Sequence, residues 1–313
     1  MEVSLLLAEQ ILVMLLMGIL GLVIVKMGLL TTEDSKVLSK ICVYVCIPCM
    51  IIDSFQIERT PDMMSGLIIA AVVAVVYHII YIGFCRIFRD VWHLSAVERA
   101  SIIYTNVGSL IVPLVSFVFG TEWVVYVCIF IVVQTVLIWT HGKALICHDG
   151  GKADWKKIFG NINIIAIIVG LLMFFTHITL PGILGSVNGR LADMLGPLSM
   201  LVVGMVMGDA DLAAVFRNKR VYFICFLRLI VCPVLSVLFI LCSGLGQYHP
   251  DAHTIMEVLL LAGASSSAAT VTQIVQVFGE DSQYASIINV MSVVLCVVTM
   301  PMITFLFEMV ARF

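Results

Sequence analysis

Residues 98–120 read ERASIIYTNVGSLIVPLVSFVFG, and residues 257–279 read EVLLLAGASSSAATVTQIVQVFG. Both stretches begin with a glutamate and end in Val-Phe-Gly, and their equivalent positions are offset by 159 residues. Each apolar stretch is interrupted near its middle by small and polar residues. The first interruption is centred on Asn106 and is followed by Pro113, and the second covers residues 265–270. Apolar helices broken at the same depth in two halves of a chain are typical of the binding sites of membrane transporters.

The composition of the 313-residue chain is that of an integral membrane protein. Hydrophobic residues make up 62% of the chain and charged residues 12%, whereas soluble domains contain about 45–50% apolar and about 25% charged residues. A helix needs about 20 apolar residues to cross a bilayer. On this basis we predict ten membrane-spanning helices, at residues 5–29, 36–56, 63–87, 95–119, 122–146, 158–177, 187–210, 220–244, 253–278 and 282–310.

The basic residues predict how these helices are oriented. Most of the 17 Lys and Arg residues lie in or beside the loops that follow odd-numbered helices. Loops that are rich in Lys and Arg are usually cytoplasmic, so we predict that these loops face the cytoplasm. Both termini would then lie outside the cell membrane. The breaks in the fourth and ninth helices divide the chain into two five-helix halves, residues 1–150 and 151–313. Because five is odd, the second half must enter the membrane inverted relative to the first.

The predicted fourth helix carries polar residues near the middle of the bilayer. Asn106, Gly108 and Ser109 lie about 12–17 Å from its start at 1.5 Å per residue, where an amide is costly unless it faces protein or water. Pro113 lacks an N–H group and frees a carbonyl one turn earlier, so we predict that the helix opens between Thr105 and Pro113. The second half of this helix would then offer N–H groups and a positive dipole end to a carboxylate.

The predicted ninth helix supplies hydroxyl and amide groups at a similar depth. The candidates are Ser265, Ser266, Ser267, Thr270 and Gln273. Their hydroxyl groups could replace water around a ligand. Alternatively, they could bond to a carbonyl one turn back or join helices together.

Five other polar residues are candidates for ion coupling or for support of the site. They are Glu98, Glu257, His78, Arg228 and Gln134. The two glutamates could couple protons or cap helix starts, and the histidine could shuttle a proton or pack as a neutral ring. The arginine could contact an anion, reach the interface or bond to backbone carbonyls.

Residues 105–120, TNVGSLIVPLVSFVFG, resemble the signature of the auxin efflux carrier family, with Asn106 and Pro113 at the family's spacing. Residues 228–233 (RLIVCP) and 278–301 (FGEDSQYASIINVMSVVLCVVTMP) are similar to its eighth and last helices. The resemblance covers nearly the whole chain and is to the compact bacterial form, without a long central loop. The chain departs from the pattern at residues 111–112, where the family has glycine, and in the ninth helix, where serines replace a proline.

The resemblance implies an all-α fold of ten transmembrane helices in two inverted repeats, like that of bile-acid symporters and NhaA, with helices 4 and 9 crossing. It implies a scaffold domain from helices 1, 2, 6 and 7, and a transport domain from helices 3–5 and 8–10 that moves as an elevator. The expected function is secondary-active efflux or exchange of a small organic anion such as a carboxylate. The alternatives are a sodium-coupled symporter of the bile-acid type and a non-transporting membrane sensor.

The expected partners are the organic anion and the lipid bilayer, and a homodimer is left open. We expect no enzymatic activity, no cofactor, no metal ion and no nucleic acid. The sequence leaves the substrate, the coupling ion and the direction of transport undetermined.

Overall fold

The computed structural model describes residues 2–56, 61–147, 156, 159–208, 218–278 and 282–311. Within these ranges the regular structure is helical, apart from one isolated antiparallel bridge. Among the described residues, six helical runs are long and apolar enough to cross a membrane: Ser35–Ser54, Met63–Ile87, Thr121–Ile146, Gly182–Gly208, Lys219–Ser243 and Gln283–Val310. Four shorter apolar helices fall in predicted helices 1, 4, 6 and 9: Leu16–Lys26, Val107–Val118, Ile162–Thr176 and Ala252–Ala264. A helical membrane protein is thus confirmed, and the count of ten crossings stays a prediction.

The α-helices follow one another along the described chain as α1 (Glu2–Lys26), α2 (Ser35–Ile41), α3 (Ile47–Ser54), α4 (Pro61–Ile87), α5 (Ala96–Ile103), α6 (Val112–Val118), α7 (Val124–Leu137), α8 (Lys143–Ile146), α9 (Ile162–Thr176), α10 (Gly182–Asp193), α11 (Leu195–Gly208), α12 (Lys219–Phe226), α13 (Cys232–Ser243), α14 (Ala252–Ala264), α15 (Ala269–Phe278) and α16 (Ser282–Val310). Single π-helical turns join α2 to α3, α7 to α8 and α12 to α13. Such turns are frequent at functional sites.

Helix α1 packs against α11 through glycines. A Cβ atom on Gly204 would overlap the carbonyl oxygen of Gly18, and one on Gly21 would overlap the carbonyl oxygen of Leu201. Small residues that let two backbones approach closely are typical of helix contacts inside membranes. Helix α3 in turn packs against α9 and α10. Predicted helices 1, 2, 6 and 7 therefore form a first packing group.

A second packing group is built around α14. This helix contacts α4, α7, α13 and α16, and α4 also contacts α7. All residues of α14 from Ile255 to Ala264 are buried. A helix shielded on every face lies inside its group rather than at the lipid boundary.

Candidate functional site

The predicted fourth helix is broken into α5 and α6. Tyr104 is extended (φ −97°, ψ 139°) and Asn106 has φ −88° and ψ 63°, so neither continues the helix. The helix resumes at Val107 in a π-helical turn, and Pro113 lies in the first turn of α6. The break thus begins one residue earlier than Thr105 and ends well before the proline. Proline is tolerated in a first turn because its missing N–H would have no partner within the helix.

The predicted ninth helix is broken at residues 265–268, between α14 and α15. Ser265 is extended (φ −63°, ψ 164°). Ser267 N donates to Ser292 Oγ at 3.0 Å, and Asn289 Nδ2 donates to Ser267 O at 2.8 Å. Side chains of α16 thus bond to backbone groups that the break frees, so this break needs no proline.

The two breaks lie side by side. Asn106 N donates to Ser266 O at 2.9 Å, and Ala268 N donates to Tyr104 O at 3.0 Å. These bonds form the antiparallel bridge between the two segments. The peptide groups left without helical partners in one break therefore satisfy those in the other.

Equivalent residues of the two stretches touch each other at this bridge. Ser265 Oγ donates to the backbone oxygen of Asn106 at 3.2 Å, across an offset of 159 residues. Two equivalent residues can touch only close to the axis that relates them. The sequence offset and the contact therefore agree.

A buried arginine lies behind both breaks. Arg228 is 1% exposed. Its Nε and Nη1 atoms donate to Ser265 O and Ile102 O, both at 3.0 Å, and its Nη2 donates to Gly263 O at 2.6 Å. Ile102 and Gly263 lie in the last turns of α5 and α14, where carbonyls lack helical partners and carry partial negative charge. One guanidinium group thus neutralises the carboxyl-terminal ends of two half-helices.

Gln134 of α7 holds the first break from another direction. Its Oε1 atom accepts from Thr105 N at 2.9 Å and from Thr105 Oγ1 at 2.8 Å, and its Nε2 donates to Thr105 O at 2.7 Å. All three bonds reach one residue. Gln134 therefore supplies the partners that the interrupted helix cannot give to Thr105.

A cavity of about 520 Å³ reaches the meeting point of the breaks. We call it the crossover cavity. It is lined by the α2–α3 run and the start of α9 on one side, and by both breaks, α7 and α15 on the other. Its polar lining residues are Ser39, Lys40, Tyr44, Thr105, Asn106, Ser109, Gln134, Thr135, Asn161, Asn163, Thr270 and Gln273. Among the described residues that line it, Lys40 is the charged side chain and none is a carboxylate.

A family model described as "Membrane transport protein" matches the chain twice, over residues 6–163 and 150–304. The chain belongs to this family, that of the auxin efflux carriers and PIN-like proteins. The match in two parts, together spanning nearly the whole chain, agrees with the repeat inferred from the offset. A comparison with curated proteins gave no match. The protein is therefore a multi-pass membrane protein of a transporter family.

Six of the site residues predicted for this transporter line the crossover cavity: Asn106, Gly108, Ser109, Gln134, Thr270 and Gln273. The other predicted serines, Ser265, Ser266 and Ser267, are buried in the bridge. Pro113 is buried in α6. The structure thus divides the predicted set into residues that line the cavity and residues beneath it.

Two further candidates lie away from the cavity. His78 is buried, with Nδ1 2.7 Å from Ala74 O and its ring centroid 5.1 Å from that of Phe130. Glu257 is buried in α14, with its carboxylate 4.0 Å from His253 Nδ1. Neither residue is placed to touch a ligand in the crossover cavity.

Glu98 joins three helices of the transporter. It forms a capping box with Ser95 at the start of α5. Its carboxylate also accepts from Arg220 Nε at 2.7 Å, from Arg220 Nη2 at 2.9 Å and from the Tyr284 hydroxyl at 2.7 Å. Because Arg220 lies in α12 and Tyr284 in α16, this geometry is that of a structural clamp.

Sequence reasoning did not single out three residues at the site, namely Lys40, Asn289 and Ser292. Asn289 and Ser292 share one face of α16, three residues apart. Their polarity within an apolar helix is a usable signal. Lys40 looked like one more interfacial charge, and only the fold shows that it lines the cavity.

Proposed function

We propose that this transporter carries a small organic anion, such as a carboxylate, by secondary-active efflux or exchange across the cell membrane. The observation that carries the proposal is the crossover cavity, which meets the amino-terminal ends of two half-helices. Val107–Ser109 and Ala269–Thr270, the first residues of those half-helices, line it. Helix amino-terminal ends carry partial positive charge and N–H groups without helical partners, which together favour an anion.

The charge of the cavity lining also favours an anion. Lys40 contributes a positive charge, and no carboxylate is among the described lining residues. A cationic substrate would have no counter-charge there and would face two positive dipole ends. Asn106, Thr270 and Gln273 add groups that can hydrogen-bond to carboxylate oxygens. A volume of about 520 Å³ lies within the range of small-molecule sites, about 300–1,000 Å³.

Arg228 bears on the choice between this function and sodium-coupled symport. In transporters with broken helices, sodium binds to unwound carbonyls and to carboxyl-terminal ends of half-helices. Here the corresponding carbonyls of Ile102 and Gly263 already accept hydrogen bonds from a guanidinium group. The guanidinium group of Arg228 is therefore bonded to the carbonyls that a sodium ion would need. We therefore favour transport that does not require sodium.

The proposed movement is that of an elevator. The first packing group would be the scaffold of helices 1, 2, 6 and 7, and helices 3–5 and 8–10 would form the moving domain. Gln134, Arg228 and Asn289 all tie the breaks to helices of that moving domain. The site would therefore move as one unit past the scaffold wall of the crossover cavity.

Counterflow in proteoliposomes, with a panel of labelled mono- and dicarboxylates, tests the proposal. We expect flux of at least one carboxylate, and a loss of about tenfold or more in Asn106→Ala, equivalent to about 1.4 kcal/mol of binding or transition-state energy. Asn188→Ala is the matched control, because Asn188 bonds to Cys49 O and Asp53 Oδ1, outside the cavity. That variant should keep its flux.

The same experiment separates the alternatives. Flux that appears only with a sodium gradient would establish the symporter. Carboxylate binding without flux would establish a sensor. Unchanged flux in Asn106→Ala would show that the crossover cavity is not the substrate site.

A further inference from the structure

A second polar cavity lies between α4, α5 and the α7–α8 run. Its volume is about 330 Å³. Arg86, Arg89, Arg99 and His141 line it, together with the apolar side chains of Ile82, Cys85, Ile103 and Leu145. We call it the arginine pocket. None of its described lining residues also lines the crossover cavity.

Among the described residues, the arginine pocket collects positive charge with little compensation. Asp90 lies 3.3 Å from Arg89 Nε, and both of these side chains are exposed. Arg99 Nε donates a long hydrogen bond to Ser95 O, at 3.4 Å, and this bond orients the Arg99 side chain. Like charges around one cavity repel each other unless an anion lies between them. Guanidinium groups match phosphate oxygens in geometry as well as in charge.

We propose that the arginine pocket binds a phosphate group. A phosphate offers several oxygens, so guanidinium groups that line one cavity can bond to it at the same time. Phospholipid headgroups and free phosphate share this chemistry. The proposal is independent of the substrate proposed for the crossover cavity.

The outer surface of α4 favours a phospholipid as the source of the phosphate. Ile68, Val72, Val75 and Ile79 are exposed and recur at helical spacing, so they form one apolar stripe along α4. The stripe leads to Gly83, where an added Cβ would meet no atom within 4 Å. Arg86 of the arginine pocket lies three residues beyond Gly83 and seven beyond Ile79, on the same face of α4. An acyl chain on the stripe would therefore bring its headgroup to the arginines, as basic pockets between membrane helices do for anionic lipids.

The arginine pocket is connected to the first break by two side chains. His141 lines the pocket, and its Nδ1 lies 2.8 Å from the Tyr104 hydroxyl. The same hydroxyl donates to Leu137 O at 3.0 Å. Tyr104 is also the residue whose backbone oxygen accepts from the second break. An occupant of the pocket would therefore contact His141, which in turn contacts Tyr104 at the first break.

The test is the thermal stability of the purified full-length protein in a neutral detergent. It is titrated separately with short-chain phosphatidylglycerol, with phosphatidylcholine of the same chains, and with inorganic phosphate. Binding to the folded state raises stability with ligand concentration. We expect phosphatidylglycerol to stabilise the protein more than phosphatidylcholine, whose choline would face the arginines. Stabilisation by inorganic phosphate as well would support the shared site and add free phosphate as a source.

The double variant Arg86→Gln/Arg89→Gln decides whether the arginines are responsible. Both side chains are exposed, so the variant should fold. Its apparent affinity for phosphatidylglycerol should fall about tenfold or more, the effect of losing at least one charge-assisted bond. Arg190→Gln/Lys36→Gln removes the same charge elsewhere and should leave the affinity unchanged. The proposal is overturned if the double variant binds like the wild type, or if both lipids stabilise equally.

Discussion

Replacing Arg228 with methionine should destabilise the crossing of the two broken helices. Methionine keeps an apolar stem but has no donor, so the carbonyls of Ile102, Gly263 and Ser265 lose their bonds. A buried group left without a partner costs about 1–3 kcal/mol. Gly263 O keeps a long bond from the Tyr81 hydroxyl at 3.4 Å, so we take the low end of that range for the three carbonyls together, a loss of about 3 kcal/mol. Removal of one partner of a buried ion pair costs a comparable amount, about 3–5 kcal/mol.

Thermal unfolding of the purified protein, followed by tryptophan fluorescence, measures this loss. For domains of about 150–250 residues, 1 kcal/mol shifts Tm by about 2–4 °C. By that scale we expect Tm to fall by roughly 6–12 °C in Arg228→Met. Arg228→Lys keeps the positive charge but lacks the planar guanidinium group, so its Tm should lie between those of Arg228→Met and the wild type. Arg190→Met removes an exposed arginine and should leave Tm within about 1 °C.

The effect of sodium on the stability of Arg228→Met provides a second test. If the guanidinium stands in for a coupling cation, its loss leaves carbonyl oxygens that a small cation can bind. Sodium chloride should then stabilise Arg228→Met more than an equal concentration of potassium chloride, whereas the wild type should not distinguish the two salts. If Arg228→Met had the same Tm as the wild type, the role assigned to Arg228 would be refuted.

Three further variants test the first break and the helix packing. Gln134→Leu leaves the N–H and C=O groups of Thr105 without their hydrogen-bond partner and should lower the free energy of unfolding by about 2–4 kcal/mol. An unchanged Tm in the same unfolding assay would contradict this. Gly204→Ala drives a methyl group into the Gly18 carbonyl and should destabilise by about 1–3 kcal/mol. By contrast, Gly189→Ala meets no atom within 4 Å and should stabilise by up to about 1 kcal/mol. Opposite signs of the Tm change are expected for the two glycines, and equal signs would argue against the close packing of α1 and α11.

The sequence predicts the positions of the two breaks well. Asn106 and the serines that begin at Ser265 are polar at a depth where only a protein or water contact can satisfy them, and they recur at one offset. The limits of the first break are less predictable. Pro113 signals an interruption, but the π-helical turn at 107–111 lets the helix resume before it. Such a turn depends on contacts from neighbouring helices, which the sequence does not specify.

The partners of the breaks are also beyond the sequence. Arg228 has three conceivable roles inside a membrane, and only the arrangement of α5, α14 and the turn between α12 and α13 shows which carbonyls it reaches. The bonds from Asn289 and Ser292 to the second break depend on which face of α16 meets that break. Polarity within an apolar helix indicates that a partner exists, and the tertiary structure determines which partner it is.

The bridge between the breaks also constrains how the protein is made. The two bridged residues, Thr105 and Ser267, lie 162 positions apart in the sequence, and ribosomes add about 5–20 residues per second. The first break is therefore synthesised roughly ten to thirty seconds before the second. During that interval Gln134, only 29 residues downstream, is the partner that the nascent chain can offer to Thr105. Gln134 would thus hold Thr105 in place early, before the second break is synthesised and bonds to the neighbouring Tyr104 and Asn106.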